Sequence, residues 1–305
     1  MKKTLLVFLV LVTAVSMAFV SCSKEEAVAE KPAVEAAPAV DPVEEAANAY
    51  FADFPGSRII KEDAFLEKVA AGEEMTILDI RQPDVYAAGH VVGAVNIPWG
   101  PALAEQLSSI PQSGQVFVYC YTGQTAGQTV AVLNVAGIPA QSVRYGFVRG
   151  ISQVEGYEAA ITTEPAELSG SYSVDPAMQA AADDYFNNLG EAPFKNNIVS
   201  AADAAAILEA GEDVQFVDIR QADAYAEGHI EGAMNIPWAA GMQEAFANLP
   251  ADKKLIVNCY SGQTAGQTVG ILNLLGYDAV SINSGMGTPV TGDKGWANEG
   301  FPLVK

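Results

Sequence analysis

Histidine, cysteine and positive charge are what this 305-residue chain has least of. It holds two histidines, three cysteines, and 16 lysines and arginines against 37 aspartates and glutamates. The net charge of −21 repels phosphates, which excludes nucleic acid as a partner and disfavours adhesion to anionic lipid headgroups. His90, His229 and the loop cysteines are too scattered along the chain to give a zinc ligand spacing, so no metal is expected. There is no P-loop and no glycine-rich dinucleotide fingerprint, so no cofactor is expected either. No histidine neighbours Cys120 or Cys259 in sequence, which leaves no adjacent imidazole base. Beyond the first 21 residues no apolar run is long enough to span a bilayer. What is plentiful is apolar surface: half the residues, enough for two ordinary cores, in a length that suggests two domains.

The chain starts with basic Met1-Lys-Lys3, then an apolar stretch from Leu5 to Val20, then Phe19-Val-Ser-Cys22. Residues 1–22 resemble a bacterial lipoprotein signal, although Phe19 departs from the usual leucine-type pattern. The resemblance implies lipidation of Cys22 and export to the periplasmic or surface side of the cell envelope. The membrane is then touched through the lipid anchor only. Cleavage after Ala18 and an uncleaved anchor are the alternatives. Residues 23–48, rich in Ala, Val, Glu and Pro, read as a tether.

From there the chain repeats itself. Cys120-Tyr-Thr-Gly-Gln-Thr-Ala126 returns as Cys259-Tyr-Ser-Gly-Gln-Thr-Ala265. Asp79-Ile-Arg81 returns as Asp218-Ile-Arg220, and Gly89-His-Val-Val-Gly-Ala-Val-Asn-Ile-Pro-Trp99 as Gly228-His-Ile-Glu-Gly-Ala-Met-Asn-Ile-Pro-Trp238. Each second copy lies 139 residues after its first (79 to 218, 90 to 229, 120 to 259). A constant offset across three motifs means duplication of a whole domain. The expected organisation is domain 1 over 49–163, a linker over 164–180, and domain 2 over 181–305. Short apolar runs such as Thr76–Asp79 and Val116–Tyr119 alternate with helical patterns such as Glu62–Ala71 and Ala126–Ala136, which predicts an α/β fold with parallel sheets. Each cysteine follows a strand and precedes a helix, where ligands bind in such sheets. A strand, a glycine-containing loop and a helix start gather backbone N–H groups around one sulfur and favour a thiolate. In an exported protein a Cys120–Cys259 disulfide is the structural alternative.

These motifs, in this order and twice over, resemble the rhodanese (sulfurtransferase) family across nearly all of 49–305. The resemblance implies two tandem rhodanese-like domains, each a parallel five-stranded sheet flanked by helices. It implies a sulfurtransferase that moves sulfane sulfur through persulfides at Cys120 and Cys259, from a thiosulfate, mercapto acid or persulfide donor to a thiol or cyanide acceptor. It further implies that Tyr121, Thr122, Gly123, Gln124 and Thr125, with Tyr260, Ser261, Gly262, Gln263 and Thr264, line the substrate, the two threonine hydroxyls being further donors. Arg220, and less firmly Arg81, would clamp an anion; a structural ion pair with the neighbouring aspartate is the competing reading. Partners would be the small donor and thiol acceptor, and a sulfur-accepting protein is open. Tyr121-Thr122 and Tyr260-Ser261 carry no charge where thiosulfate-using members often have basic residues. Rhodanese-like phosphatases close a longer loop on an arginine; here the sixth residue after each cysteine is Ala126 or Ala265, which speaks against phosphate chemistry. The rival from another class is a non-catalytic, surface-tethered persulfide carrier or binding module.

Overall fold

The computed structural model describes residues 41–52 and 56–305. The signal segment, Cys22 and most of the expected tether lie outside the described residues. The first half runs α1 (Pro42–Ala52), β1 (Ile59–Ile60), α2 (Glu62–Ala70), β2 (Thr76–Asp79), α3 (Pro83–Ala88), β3 (His90–Val91), β4 (Ala94–Asn96), α4 (Pro101–Glu105), β5 (Val116–Tyr119), α5 (Gln124–Val135), β6 (Ala140–Val143), α6 (Gly146–Arg149) and β7 (Ile161–Thr162). The second runs α7 (Pro176–Asn187), β8 (Ile198–Val199), α8 (Ala201–Ala210), β9 (Val214–Asp218), α9 (Ala222–Glu227), β10 (Met234–Asn235), β11 (Lys254–Asn258), α10 (Gln263–Leu274) and β12 (Ala279–Ile282), with short 3-10 turns between. Among the described residues no helix is long and apolar enough to cross a membrane.

Two five-stranded sheets form, with all pairings parallel, in the orders β1-β6-β5-β2-β4 and β8-β12-β11-β9-β10. This is the α/β architecture the alternation predicts. Each middle strand is buried on both faces, as helix-covered parallel strands must be. Along β5, Val116, Val118 and then Cys120 belong to one apolar cluster, while Phe117 and Tyr119 belong to the other. Along β11, Leu255, Val257 and Cys259 face one way and Ile256 the other. The period-2 pattern thus decides which face each cysteine shares. A short antiparallel pairing of β3 with β7 was not anticipated; its counterpart in the second half is a single bridge between His229 and Val304.

Helices α1 and α7 run across the expected boundaries at 48/49 and 180/181. Helix α1 starts within the expected tether and packs on both halves, against Ala131 and Val135 of α5 in the first and against the second. Its Val43, Ala47, Tyr50 and Phe51 are buried with Val217, Ile219, Phe246 and Leu255 of the second half. Reciprocally, Ala182, Tyr185 and Phe186 of α7 are buried with Leu78, Leu103 and Val118 of the first half. Both helices therefore lie across the seam between the halves. Both helices begin alike: the Asp41 carboxylate accepts from Val43 N at 2.8 Å, and that of Asp175 from Ala177 N at 2.8 Å, with proline at the first helical position. Helix thus begins at Pro42, within the expected tether, and at Pro176, within the expected linker.

Candidate functional site

The cysteines occupy equivalent places, at the carboxyl ends of the two central strands. In the first loop the Cys120 Sγ accepts from Gly123 N at 3.1 Å and Ala126 N at 3.4 Å. In the second, the Cys259 Sγ accepts from Gly262 N at 3.1 Å and Ala265 N at 3.4 Å. Donors from the loop and the first turn of a 12-residue helix thus converge on one sulfur, an arrangement suited to negative charge. The sulfurs sit deep, with Cys120 3% and Cys259 2% exposed. Both are free thiols, so the disulfide left open by the sequence does not form. The Thr125 and Thr264 hydroxyls, expected as donors, make no hydrogen bond to either sulfur; the carbonyls of these residues instead accept from Thr129 and Thr268.

Gly123 and Gly262 hold φ of 93° and 92°, the left-handed turn that aims the N–H inward. A second glycine, missed in the sequence, closes each loop from behind. Gly146 lies so close that a Cβ there would come within 2.6 Å of the Cys120 carbonyl, and one at Gly285 within 2.4 Å of that of Cys259. Phe147 N and Met286 N donate to those carbonyls, each at 2.8 Å. The signal was present as Arg144-Tyr-Gly-Phe147 and Asn283-Ser-Gly-Met286 just after strands, but neither matches the other closely.

Tyr121 and Tyr260 are exposed at the loop rims, and the Tyr121 hydroxyl accepts from Gln82 N at 3.2 Å. Thr122 and Ser261 beside them are half-buried. Gln124 and Gln263 are elsewhere than expected. The Gln124 amide leaves its own domain: it donates to Ser281 Oγ at 2.8 Å and Ile282 O at 3.0 Å, and accepts from Ser284 N at 3.1 Å. Gln263 repeats this in reverse, donating to Ser142 Oγ and Val143 O at 2.8 and 3.1 Å and accepting from Tyr145 N at 3.1 Å. Their side chains are spent bolting the domains together, so the expectation that they line substrate is corrected. Gly127 and Gly266 allow the close crossing of α5 and α10: a Cβ at either would lie 2.5 or 2.4 Å from the Gln263 or Gln124 carbonyl.

The arginine clamp is corrected too. Arg81 binds both Asp79 carboxylate oxygens, at 2.6 to 3.1 Å, and the Gly89 carbonyl at 2.9 Å, and is 2% exposed. Arg220 does the same with Asp218 and the Gly228 carbonyl at 2.7 Å. A fully buried aspartate needs such a partner, and the competing structural reading prevails. Burial pulls Arg81 down, but the Asp79 hydrogen bonds and charge outweigh it and leave the guanidinium above its ordinary range. The histidines fasten loops: His90 lies 2.8 and 3.0 Å from the Tyr86 and Glu164 carbonyls, and His229 3.1 Å from that of Tyr225.

Fold and site together define a tandem pair of cysteine-loop α/β domains, each holding a buried sulfur in a cradle of backbone N–H groups. The family model for the rhodanese-like domain matches residues 62–156 and 200–286, and the chain belongs to that family. A thiosulfate sulfurtransferase of Azotobacter vinelandii is 26% identical over 270 residues, covering 76% of this chain and 94% of that one. The thiosulfate sulfurtransferase GlpE of Pseudomonas fluorescens is 32% identical over 97 residues, 32% of this chain and 80% of that one. A Bacillus subtilis protein whose name proposes a sulfur carrier is 26% identical over 78 residues, and the match spans 26% of this chain and 42% of that protein. Among solved structures, Escherichia coli SseA, described as a 3-mercaptopyruvate sulfotransferase, is 20% identical with a TM-score of 0.35, over 75% of this chain and 98% of that one.

Proposed function

We propose that the chain is a sulfurtransferase that carries sulfane sulfur as a persulfide at Cys120 and Cys259. The observation that carries this reading is the pair of backbone N–H donors that converge on each sulfur from the loop and the helix start. The thiolate attacks the outer sulfur of a thiosulfate, mercapto acid or persulfide donor. A new S–S bond forms, the donor's own bond to that sulfur breaks, and its electron pair departs with the leaving group, sulfite when thiosulfate is the donor. The same N–H groups face the negative terminal sulfur of Cys–S–S⁻, as an anion hole faces a developing charge. A thiol or cyanide then takes the terminal sulfur and returns the thiolate.

Intact-mass measurement after donor treatment checks this. Two added sulfurs are expected, with one lost in Cys120→Ser and the other in Cys259→Ser. No added sulfur with thiosulfate, 3-mercaptopyruvate or a low-molecular-weight persulfide overturns the reading. The uncharged loop residues Tyr121-Thr122 and Tyr260-Ser261, which specify no small anionic donor, support a second reading, a persulfide carrier that discharges to a partner protein; one sulfur loaded per cysteine without multiple turnover selects it. Anchoring through Cys22 belongs to the same proposal, and the mass of membrane-extracted protein reads it.

A further inference from the structure

Gln124 and Gln263 join the two halves, and what each amide rests against gives it a second use. The Gln124 side chain packs on Gly262, the residue whose N–H donates to Cys259 Sγ: a Cβ at Gly262 would lie 2.6 Å from Gln124 Oε1. The Gln263 side chain packs in the same way on Gly123, whose N–H donates to Cys120 Sγ, and a Cβ at Gly123 would lie 2.9 Å from Gln263 Oε1. Each donor glycine is thus backed by a buried side chain from the other half.

That side chain is itself fixed at both ends of its amide. Gln124 donates to Ser281 Oγ and Ile282 O and accepts from Ser284 N. The turn after Ser284 runs into the same cradle: a Cβ at Gly285 would come within 3.0 Å of Gly262 N, and Met286 N donates to the Cys259 carbonyl at 2.8 Å. The first half mirrors this. Gln263 accepts from Tyr145 N, a Cβ at Gly146 would come within 2.8 Å of Gly123 N, and Phe147 N donates to the Cys120 carbonyl. A hydrogen bond weakens steeply as its angle departs from the line, so a donor serves a sulfur only while its direction is kept. Glycine in the left-handed region restrains its own backbone least of all residues. The restraint on Gly123 and Gly262 has to come from what packs on them, and across the seam that is the glutamine amide.

We propose that Gln124 is a positioning residue for sulfur transfer at Cys259, and Gln263 for transfer at Cys120, each holding the other half's glycine N–H on the sulfur. Neither half then has a complete sulfur site of its own. The role in transfer rests on the persulfide reading above; the hold on the glycine does not.

The test uses the full chain with both cysteines present. Gln124→Met keeps the bulk of the side chain and removes its hydrogen bonds. Amide hydrogen exchange is expected to speed up about tenfold at Gly262 relative to Gly123 in Gln124→Met, and at Gly123 relative to Gly262 in Gln263→Met. A general loss of stability speeds both glycines alike, so equal change at the two, or none, overturns the proposal. Loading by thiosulfate, resolved by peptide mass, is expected to slow about tenfold at Cys259 relative to Cys120 in Gln124→Met, and the reverse in Gln263→Met, with the half-saturating thiosulfate concentration unchanged. Loading that stays equal at the two cysteines in both variants also overturns it. Should Gln124→Met fail to fold, Ser281→Ala takes one hydrogen bond from Gln124 and is expected to shift Gly262 exchange in the same sense by less; no shift overturns the proposal. A native chain that loads no sulfur but shows the crossed exchange overturns the enzyme reading alone. Normal loading without crossed exchange overturns the positioning alone.

Discussion

Equivalent positions in the two halves have diverged where polarity is costly. Tyr119 in the first half accepts from Val91 N at 3.2 Å through its hydroxyl, and the Arg81 guanidinium lies 3.9 Å from the Phe147 ring centroid beside it. The second half has Asn258 and Met286 at these places. Asn258 is fully buried, and neither of its amide atoms has a hydrogen-bond partner among the described residues. Such a group costs on the order of 1–3 kcal/mol. Asn258→Leu, close in size and without polar atoms, is therefore expected to stabilise the chain by about 1 kcal/mol, read as a higher melting temperature. An unchanged or lower melting temperature counts against it. At this scale the cysteines, Gly123 and Gly262 were legible because loop chemistry is local. The fate of Arg81 and Arg220 was not, because a guanidinium beside an aspartate serves clamp or ion pair equally well until burial is known.

Among the elements, α5 and α10 were legible from their apolar pattern after each cysteine. The roles of Gln124 and Gln263 were not, since the residues they hold lie in the other domain. Each glutamine sits in one cysteine loop and bonds the strand end and turn that back the other. Gln124→Ala removes three hydrogen bonds in a buried setting and is expected to cost about 1–3 kcal/mol. Its effect on chemistry crosses the interface: in a Cys120→Ser background it should slow sulfur loading of Cys259, measured by intact mass against time. If loading of Cys259 is unaffected while that of Cys120 slows in the otherwise native chain, each loop is independent of its neighbour. Helices α1 and α7 straddle the expected boundaries of tether and linker. Their Asp-Pro starts at 41 and 175 and their Tyr-Phe pairs at 50 and 185 were visible, but an apolar stripe does not name the sheet it will cover.

For the molecule as a whole, α1 and α7 tie the two halves together across their seam. Tyr50 of α1 donates its hydroxyl to Gln267 Oε1, and Tyr185 of α7 to Gln128 Oε1 at 2.5 Å. Burial pushes both phenols far above their ordinary range, against smaller lowering effects of Arg58 on Tyr50 and of Asn197 and Asn273 on Tyr185. The unfolded chain loses these protons near pH 10 while the folded chain keeps them. Stability from this source is thus complete below about pH 10 and falls as pH rises further. Melting temperatures between pH 8 and 11 are expected to drop at the alkaline end, and less steeply in Tyr50→Phe/Tyr185→Phe; equal slopes count against this account. The amino-acid order by itself determined the duplication, the parallel α/β sheets and the cysteine at the end of each central strand, because periodicity, turn chemistry and repeat offset act over a few residues. Only the tertiary structure decided which helix covers which sheet, where Gln124 and Gln263 anchor, and that Arg149 meets Ser284, because those outcomes depend on surfaces meeting across more than a hundred residues of chain.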